Sequence, residues 1–414
     1  MNKKKELETF GTEFWLVVDF FILIMLILCL FPIILGKYLP KIIEFPPNSG
    51  TIGDTIGGTM GPFVAIIASA LTFLAFWIQF KANEQQKADM GEQKEQYAAE
   101  RAETRFLEMV KICRDNINEL KYEKYSKTHG KMITHEGRRV AVIIFREFTE
   151  CLDDIDFLFW SDAFDYYVND DYQKELQKIV KNNKIESSIL DMIKIDIAYH
   201  IIYFGLGTEG RVSIEHNFKH KYKVDFSTNL LNFISIKPKL EDNIRFKTWN
   251  EIIQRIQSNV EVLKNMSISA EKGFTMILSD AKEKIESLKG TNPYEKYYGG
   301  HQHRLGHYFR HLFNSYVYLD SRKEISNDDK YLLSKLLRAQ LSTYEQALIL
   351  INSISSLGMS WEYKPKDKLQ VDHSYSKGKL ITTYNVITNL PGEHLNQIKY
   401  KDFYPQVKYE FDEM

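Results

Sequence analysis

Two stretches near the N-terminus break the mixed apolar and polar pattern that fills the rest of the chain. Residues 14–35 read FWLVVDFFILIMLILCLFPIIL, apolar except for Asp19, and residues 62–80 read PFVAIIASALTFLAFWIQF with no charge at all. At about 1.5 Å per helical residue, each is long enough to cross roughly 30 Å of hydrocarbon. The pattern therefore predicts two transmembrane helices, 14–35 and 62–80, with residues 1–80 as a membrane anchor. A cleaved leader is the rival for the first stretch, but the apolar run outlasts a usual h-region and no small-x-small site follows Leu35. Asp19 lies near the start of its span, where a carboxylate reaches the headgroup layer or a polar partner on the second helix.

Between the spans, SGTIGDTIGGTMGP is dense in glycine, which predicts a loop, with Pro62 in the first turn of the second helix. No GK[ST] follows, so it is not a phosphate-cradling loop. Beyond residue 80 the chain is polar on all sides and rich in helix formers. Apolar positions then return at Phe106, Val110, Cys113, Ile117 and Leu120, close to helical spacing. This predicts a helical stalk over 81–127, weakened by Gly91 by about 1 kcal/mol. The apolar seam before Tyr97 is too thin to define coiled-coil heptads, although the membrane helices and stalk could still join copies of the chain.

From 128 to 414 helical periodicity dominates. Trp249, Ile252, Ile253, Ile256, Val260 and Leu263 share one face, as do Leu333, Leu336, Leu337, Leu341, Tyr344, Leu348 and Ile351. Near the end, LITTYNVIT over 380–388 is β-branched, and Val407, Tyr409 and Phe411 alternate with polar residues. The expected fold is mainly α: two N-terminal transmembrane helices, a long helical stalk and a helical cytoplasmic domain with a small C-terminal β-element. The polar stretch 362–379 reads as a surface loop.

Charge sets the orientation. Lys3, Lys4 and Lys5 precede the first span, Lys37 and Lys41 lie between the spans, and Lys81, Lys87, Lys94, Arg101 and Arg105 follow the second. The positive-inside rule places both termini in the cytoplasm. The cysteines, Cys29, Cys113 and Cys151, form no paired framework, which fits a reducing compartment. Overall, 54 Lys and Arg balance 55 Asp and Glu, so no global field favours nucleic acid or acidic lipid, and any basic site is local.

The densest local chemistry is GGHQHRLGHYFRHLF. His303, His307 and His311 recur every four residues, so on a helix they share one face and are candidate metal ligands. No HExxH pattern or nearby fourth ligand accompanies them, and Arg304 and Arg310 would repel a cation, so the expected state has no metal and no cofactor. Arg304 and His311 also have the R-x4-6-H spacing of HEPN-family ribonucleases, in which an arginine neutralises the phosphate and a histidine moves the proton. Leu305 stands where that family usually has a polar residue. Arg310 precedes His311 directly, with Ser315, Tyr316 and Val317 where its own histidine would be needed. Arg304, Arg310 and His311 are thus the catalytic candidates, and whether the chain is an enzyme stays open. No GxSxG, Walker loop, EF-hand loop or paired-cysteine zinc site occurs.

The ordered set of motifs resembles the phage abortive-infection proteins of bacteria, often called AbiC-like. The carrying segments are GTIGDTIGGTMGPF, ETRFLEMVKICRDNINEL, EGRRVAVIIFREF, YFGLG, GHYFRHLFNSYVYLD, LLRAQLSTYEQALIL, TTYNVITNLP and FYPQVKYEF. The resemblance implies an inner-membrane protein that limits phage propagation by arresting or killing the infected cell, answering to a phage or host trigger. The polar residues within its two densest motifs are Tyr308, Arg310, His311, Arg338, Gln340 and Glu345. Tyr308, Arg310, Arg338, Gln340 and Glu345 are the candidate ligand-binding set, and relatives often carry a histidine where Asn314 stands. Arg310 and Arg338 sit among apolar residues, so each needs a partner: carboxylates such as Glu345 and Asp320, or a shared anionic ligand. The expected function is a membrane-anchored phage-defence switch. The alternatives are a membrane-tethered HEPN-like ribonuclease, which would bind nucleic acid, and a non-enzymatic receptor or scaffold.

Overall fold

The computed structural model describes residues 49–264, 270–279, 281–289, 296–363, 379–390 and 398–412, together with isolated positions elsewhere. The chain forms two compact units, 1–93 and 94–414.

In the first unit, helix α1 begins at Ser49; it runs to Asn118 in the second. The glycine-rich segment expected as a loop is thus helical, and Pro62 lies inside the helix rather than in its first turn. Phe63, Val64, Ile66, Phe73, Phe76, Trp77 and Phe80 are all exposed. The stretch from Met60 is long and apolar enough to cross a membrane, and none of its apolar window is covered by protein. A helix apolar on every side suits hydrocarbon rather than water. The span 14–35 lies largely outside the described residues, which there include helical Asp19, Phe20, Leu23, Ile24, Leu26, Ile27 and Leu30.

In the second unit, the end of α1 buries Ala102, Phe106, Cys113 and Ile117. The helix stops at Asn118, short of the expected 127, because the pattern changes period. Strand β1 (Lys121–Ser126) pairs antiparallel with β2 (Lys131–Glu136), with Lys121 opposite Glu136 and Ser126 opposite Lys131. Gly130, at φ 62°, closes the turn.

The centre of the domain is made by α2 (Arg138–Asp156), α4 (Ile189–Phe204), α10 (Gln302–Ser321) and α12 (Thr343–Ile354). α4 is buried along nearly its whole length, with α2 packed on it and α12 touching both. Around them lie α3 (Asp170–Asn183), α5 (Thr208–Phe218), α6 (Val224–Ile234), α7 (Asn243–Lys264), α8 (Ala270–Ser279), α9 (Lys282–Leu288) and α11 (Asn327–Arg338). On α7, Trp249, Ile252, Ile256 and Val260 are buried as their spacing predicts. The second predicted face is split between α11 and α12 by Ser342, whose side chain and Glu345 form a capping box, and Leu336 is exposed.

The C-terminal β-element differs from its expected position. Residues expected as a strand at 380 form the short helix α13 (Leu380–Tyr384), and Val407 and Tyr409 are buried without strand pairing. A β-branched run this short, with Thr383 exposed among mostly buried neighbours, has too little periodicity to separate strand from helix. The C-terminal pairing among described residues is β3 (Gln370–Val371) with β4 (Ser374–Tyr375), plus one bridge between Leu395 and Ile398. Helix α14 (Tyr400–Phe403) follows. Most of the expected loop 362–379 lies outside the described residues.

Candidate functional site

YFGLG ends α4, and YYGGH precedes α10; the two backbones cross in contact. Gly205 has φ 79° and Gly300 φ 86°, both in the region that favours glycine. A Cβ on Gly205 would lie 2.6 Å from the Gly299 carbonyl, and one on Gly300 would lie 2.5 Å from the Phe204 oxygen. The His301 amide donates to the carbonyls of Ile202 (3.0 Å) and Tyr203 (2.9 Å), while the Leu206 amide donates to Tyr298 (2.9 Å). This crossing fixes Tyr297, Tyr298 and His301 against α2.

From α2, Glu147, Glu150 and Asp154 face that segment at helical spacing. Glu147, buried, accepts from Tyr122 (2.7 Å), Lys124 (2.7 Å) and His301 Nε2 (2.7 Å). Arg304 Nη1 lies 3.3 Å from His301 Nδ1. A guanidinium only donates, so Nδ1 accepts and Nε2 carries the proton given to Glu147. Burial works to raise the Glu147 carboxyl, but the His301 hydrogen bond and the Lys124 ammonium outweigh it and hold the group down at about 2. One turn along, buried Lys237 bonds Glu150 (2.7 Å) and Asp154 (2.6 Å), under the rings of Tyr297 and Tyr298. Tyr297 donates to Glu150 (2.6 Å) and Tyr298 to Asp154 (2.5 Å). Burial pushes the Asp154 carboxyl up against the pull of Lys237. Burial also drives the Tyr122, Tyr297 and Tyr298 hydroxyls far up, so they remain donors. Lys124, Lys237 and Arg304 match Glu147, Glu150 and Asp154 in charge. The arrangement is a saturated network that ties the β-hairpin, α2 and the start of α10 together.

Arg304 belongs to this network. Its guanidinium donates to the Lys121 carbonyl (3.0 Å) and lies over Tyr122 at 4.5 Å. His311 is exposed two turns further along α10, so the structure does not bring Arg304 and His311 together. His303, His307, Arg310 and His311 line the exposed face of α10. Among the described residues no three His, Cys, Asp or Glu side chains gather as metal ligands.

Two of the candidate ligand residues, Tyr308 and Glu345, meet directly, and Gln340 is joined to them only through its backbone carbonyl. Tyr308 donates to buried Glu345 (2.9 Å), which also accepts from the Ser342 amide (2.9 Å) and hydroxyl (2.5 Å). Arg138 links the group, with Nε 3.7 Å from Glu345 and Nη2 donating to the Gln340 carbonyl (2.8 Å). Arg338 stands apart, donating to the carbonyls of Tyr384 (3.1 Å) and Asn385 (2.9 Å). Asp320, the carboxylate suggested for these arginines, accepts from Tyr384 (3.0 Å). Arg310 is exposed, so Arg310 and Arg338 do not share one pocket. Sequence reasoning missed Tyr122, Lys124, Glu147, Glu150, Asp154 and Lys237. The available signal was three carboxylates at helical spacing within an otherwise apolar face of FREFTECLDDIDF.

Fold and site together define a mainly helical protein with an apolar helix long enough to cross a membrane. Residues 300–365, from the glycine crossing through α10, α11 and α12 and on past Trp361, match the family model described as "Putative phage abortive infection protein". This is the family that the motif order resembles, and it supports a phage-defence role. Neither a curated protein nor a solved structure matches the chain.

Proposed function

We propose that this protein is a membrane-anchored phage-defence protein whose helical domain lies on the cytoplasmic side and senses infection or arrests the infected cell. The family match over residues 300–365 carries the defence reading. The uncovered apolar side chains of α1 support anchoring, and the lysines flanking both apolar stretches support a two-span hairpin with cytoplasmic termini. Tethering raises the effective concentration of the domain toward membrane targets and toward its own copies.

Deletion of residues 1–80 is expected to leave a folded domain and to lower protection, read as phage plating efficiency, by roughly two orders of magnitude at matched protein level. Equal protection by the anchorless chain overturns the reading. Topology is best read from introduced cysteines, because native Cys113 and Cys151 are buried and burial raises both thiols. A cysteine at Asp54 is expected to react with an impermeant thiol reagent in spheroplasts, and one at Lys87 only after lysis. The reverse pattern inverts the proposed topology.

A further inference from the structure

The exposed face of α10 takes no part in the polar network. From residue 300 to residue 319 the chain holds no Asp or Glu, although acids and bases balance over the whole protein. His303, His307, Arg310 and Asn314 form a single row, exposed throughout, with His311 at its edge. Successive positions along the row are about 5–6 Å apart on the helix axis. Among the described residues, no hydrogen bond or ion pair is made by the side chains of His303, His307, Arg310 and His311; the His311 carbonyl accepts from the Ser315 hydroxyl (2.8 Å). Beside the row stands Tyr203 from the end of α4, half-buried and stacked on Tyr199. Its hydroxyl bonds no described residue, and a Cβ on Gly306 would lie 3.1 Å from it. Glycine at 306 therefore lets the tyrosine lie close against α10, near enough for the Arg310 charge to act on its hydroxyl.

We infer that this face of α10, with Tyr203, binds the phosphodiester backbone of a single-stranded nucleic acid. The row supplies one guanidinium and several imidazoles at intervals comparable to successive phosphates along a strand, and Tyr203 supplies an aromatic edge for a base. A single lipid headgroup would engage one turn of the row; a strand engages its length. Arg304 is committed to Lys121, His301 and Tyr122, so the inference is binding and assigns no cleavage.

The test uses the full-length protein in nanodiscs of zwitterionic lipid and a fluorescent twelve-nucleotide strand, as RNA and as DNA, read by anisotropy. Binding is expected at 50 mM salt and should weaken steeply by 200 mM. Arg310→Glu combined with His307→Glu should weaken it at least about tenfold and reduce the salt slope by about 0.7 or more. The melting temperature should not change, because neither side chain bonds the fold. Lys174→Glu, at an exposed position of α3, should bind as the parent does. RNA bound more tightly than DNA identifies RNA as the source of the strand, and equal binding leaves the shared backbone as the ligand; either supports the inference. No binding of either strand at 50 mM salt, or equal binding by the double variant, overturns it. A strand displaced equally well by vesicles of anionic lipid also overturns it, in favour of a membrane surface. Phage protection does not enter this readout, so the defence proposal stands or falls separately.

Discussion

Replacing Glu147 with Ala is expected to destabilise the folded domain by roughly 3–5 kcal/mol, the usual cost of leaving buried charges without their partner. The carboxylate accepts from Tyr122, Lys124 and His301 at once, and it is 3% exposed. Its loss strands the buried His301 donor, whereas Tyr122 and Lys124, both partly exposed, can turn toward water; this places the effect near the lower end of the range. With total stabilities near 5–15 kcal/mol, such a loss is a large fraction of the whole. Denaturant unfolding of the purified protein measures it, and a change below about 1 kcal/mol would contradict the network's role. Glu147→Gln keeps the shape but removes the charge, and should cost less.

The same residue predicts a pH signature. Its folded pKa of about 2 lies below the ordinary glutamate value, so its contribution is fully present above that ordinary value and disappears as pH falls toward 2. The parent should therefore lose stability more steeply than Glu147→Gln between about pH 4.5 and pH 2, by up to about 3 kcal/mol. Parallel slopes in the two proteins would rule this out.

Gly300→Ala is expected to cost about 3 kcal/mol or more, with Gly205→Ala close behind. Two penalties combine: a positive φ that a side chain tolerates poorly, and a Cβ placed 2.5 Å from the Phe204 oxygen, which is backbone and cannot rotate away. Relief requires the crossing segments to part, weakening the amide bonds of His301 and Leu206. Gly299 is the internal control. A Cβ there meets nothing within 4 Å, so Gly299→Ala should change stability by less than about 1 kcal/mol. Equal melting temperatures for Gly299→Ala and Gly300→Ala would show that the crossing is not as close as described.

What was legible from the sequence alone was whatever repeats. The apolar run at 62–80 needs only length and composition to be recognised, because hydrocarbon imposes the same demand on every residue. The core positions Trp249, Ile252, Ile256 and Val260 on α7 follow from helical spacing, as do Leu348 and Ile351 on α12, and the motif order led to the family whose model matches residues 300–365. Tertiary structure alone decided the rest. The strand expected at 380 became α13 because so short and mostly buried a run shows too few polar positions to set its period. The histidine singled out least, His301, proved to be the buried one, while His303, His307 and His311 faced outward, since the crossing at Gly205 and Gly300 sets where α10 begins. Glu147 and Lys237 find partners far away in sequence. Local patterning carries no information about which charges folding will bring together, and only the packed structure pairs them.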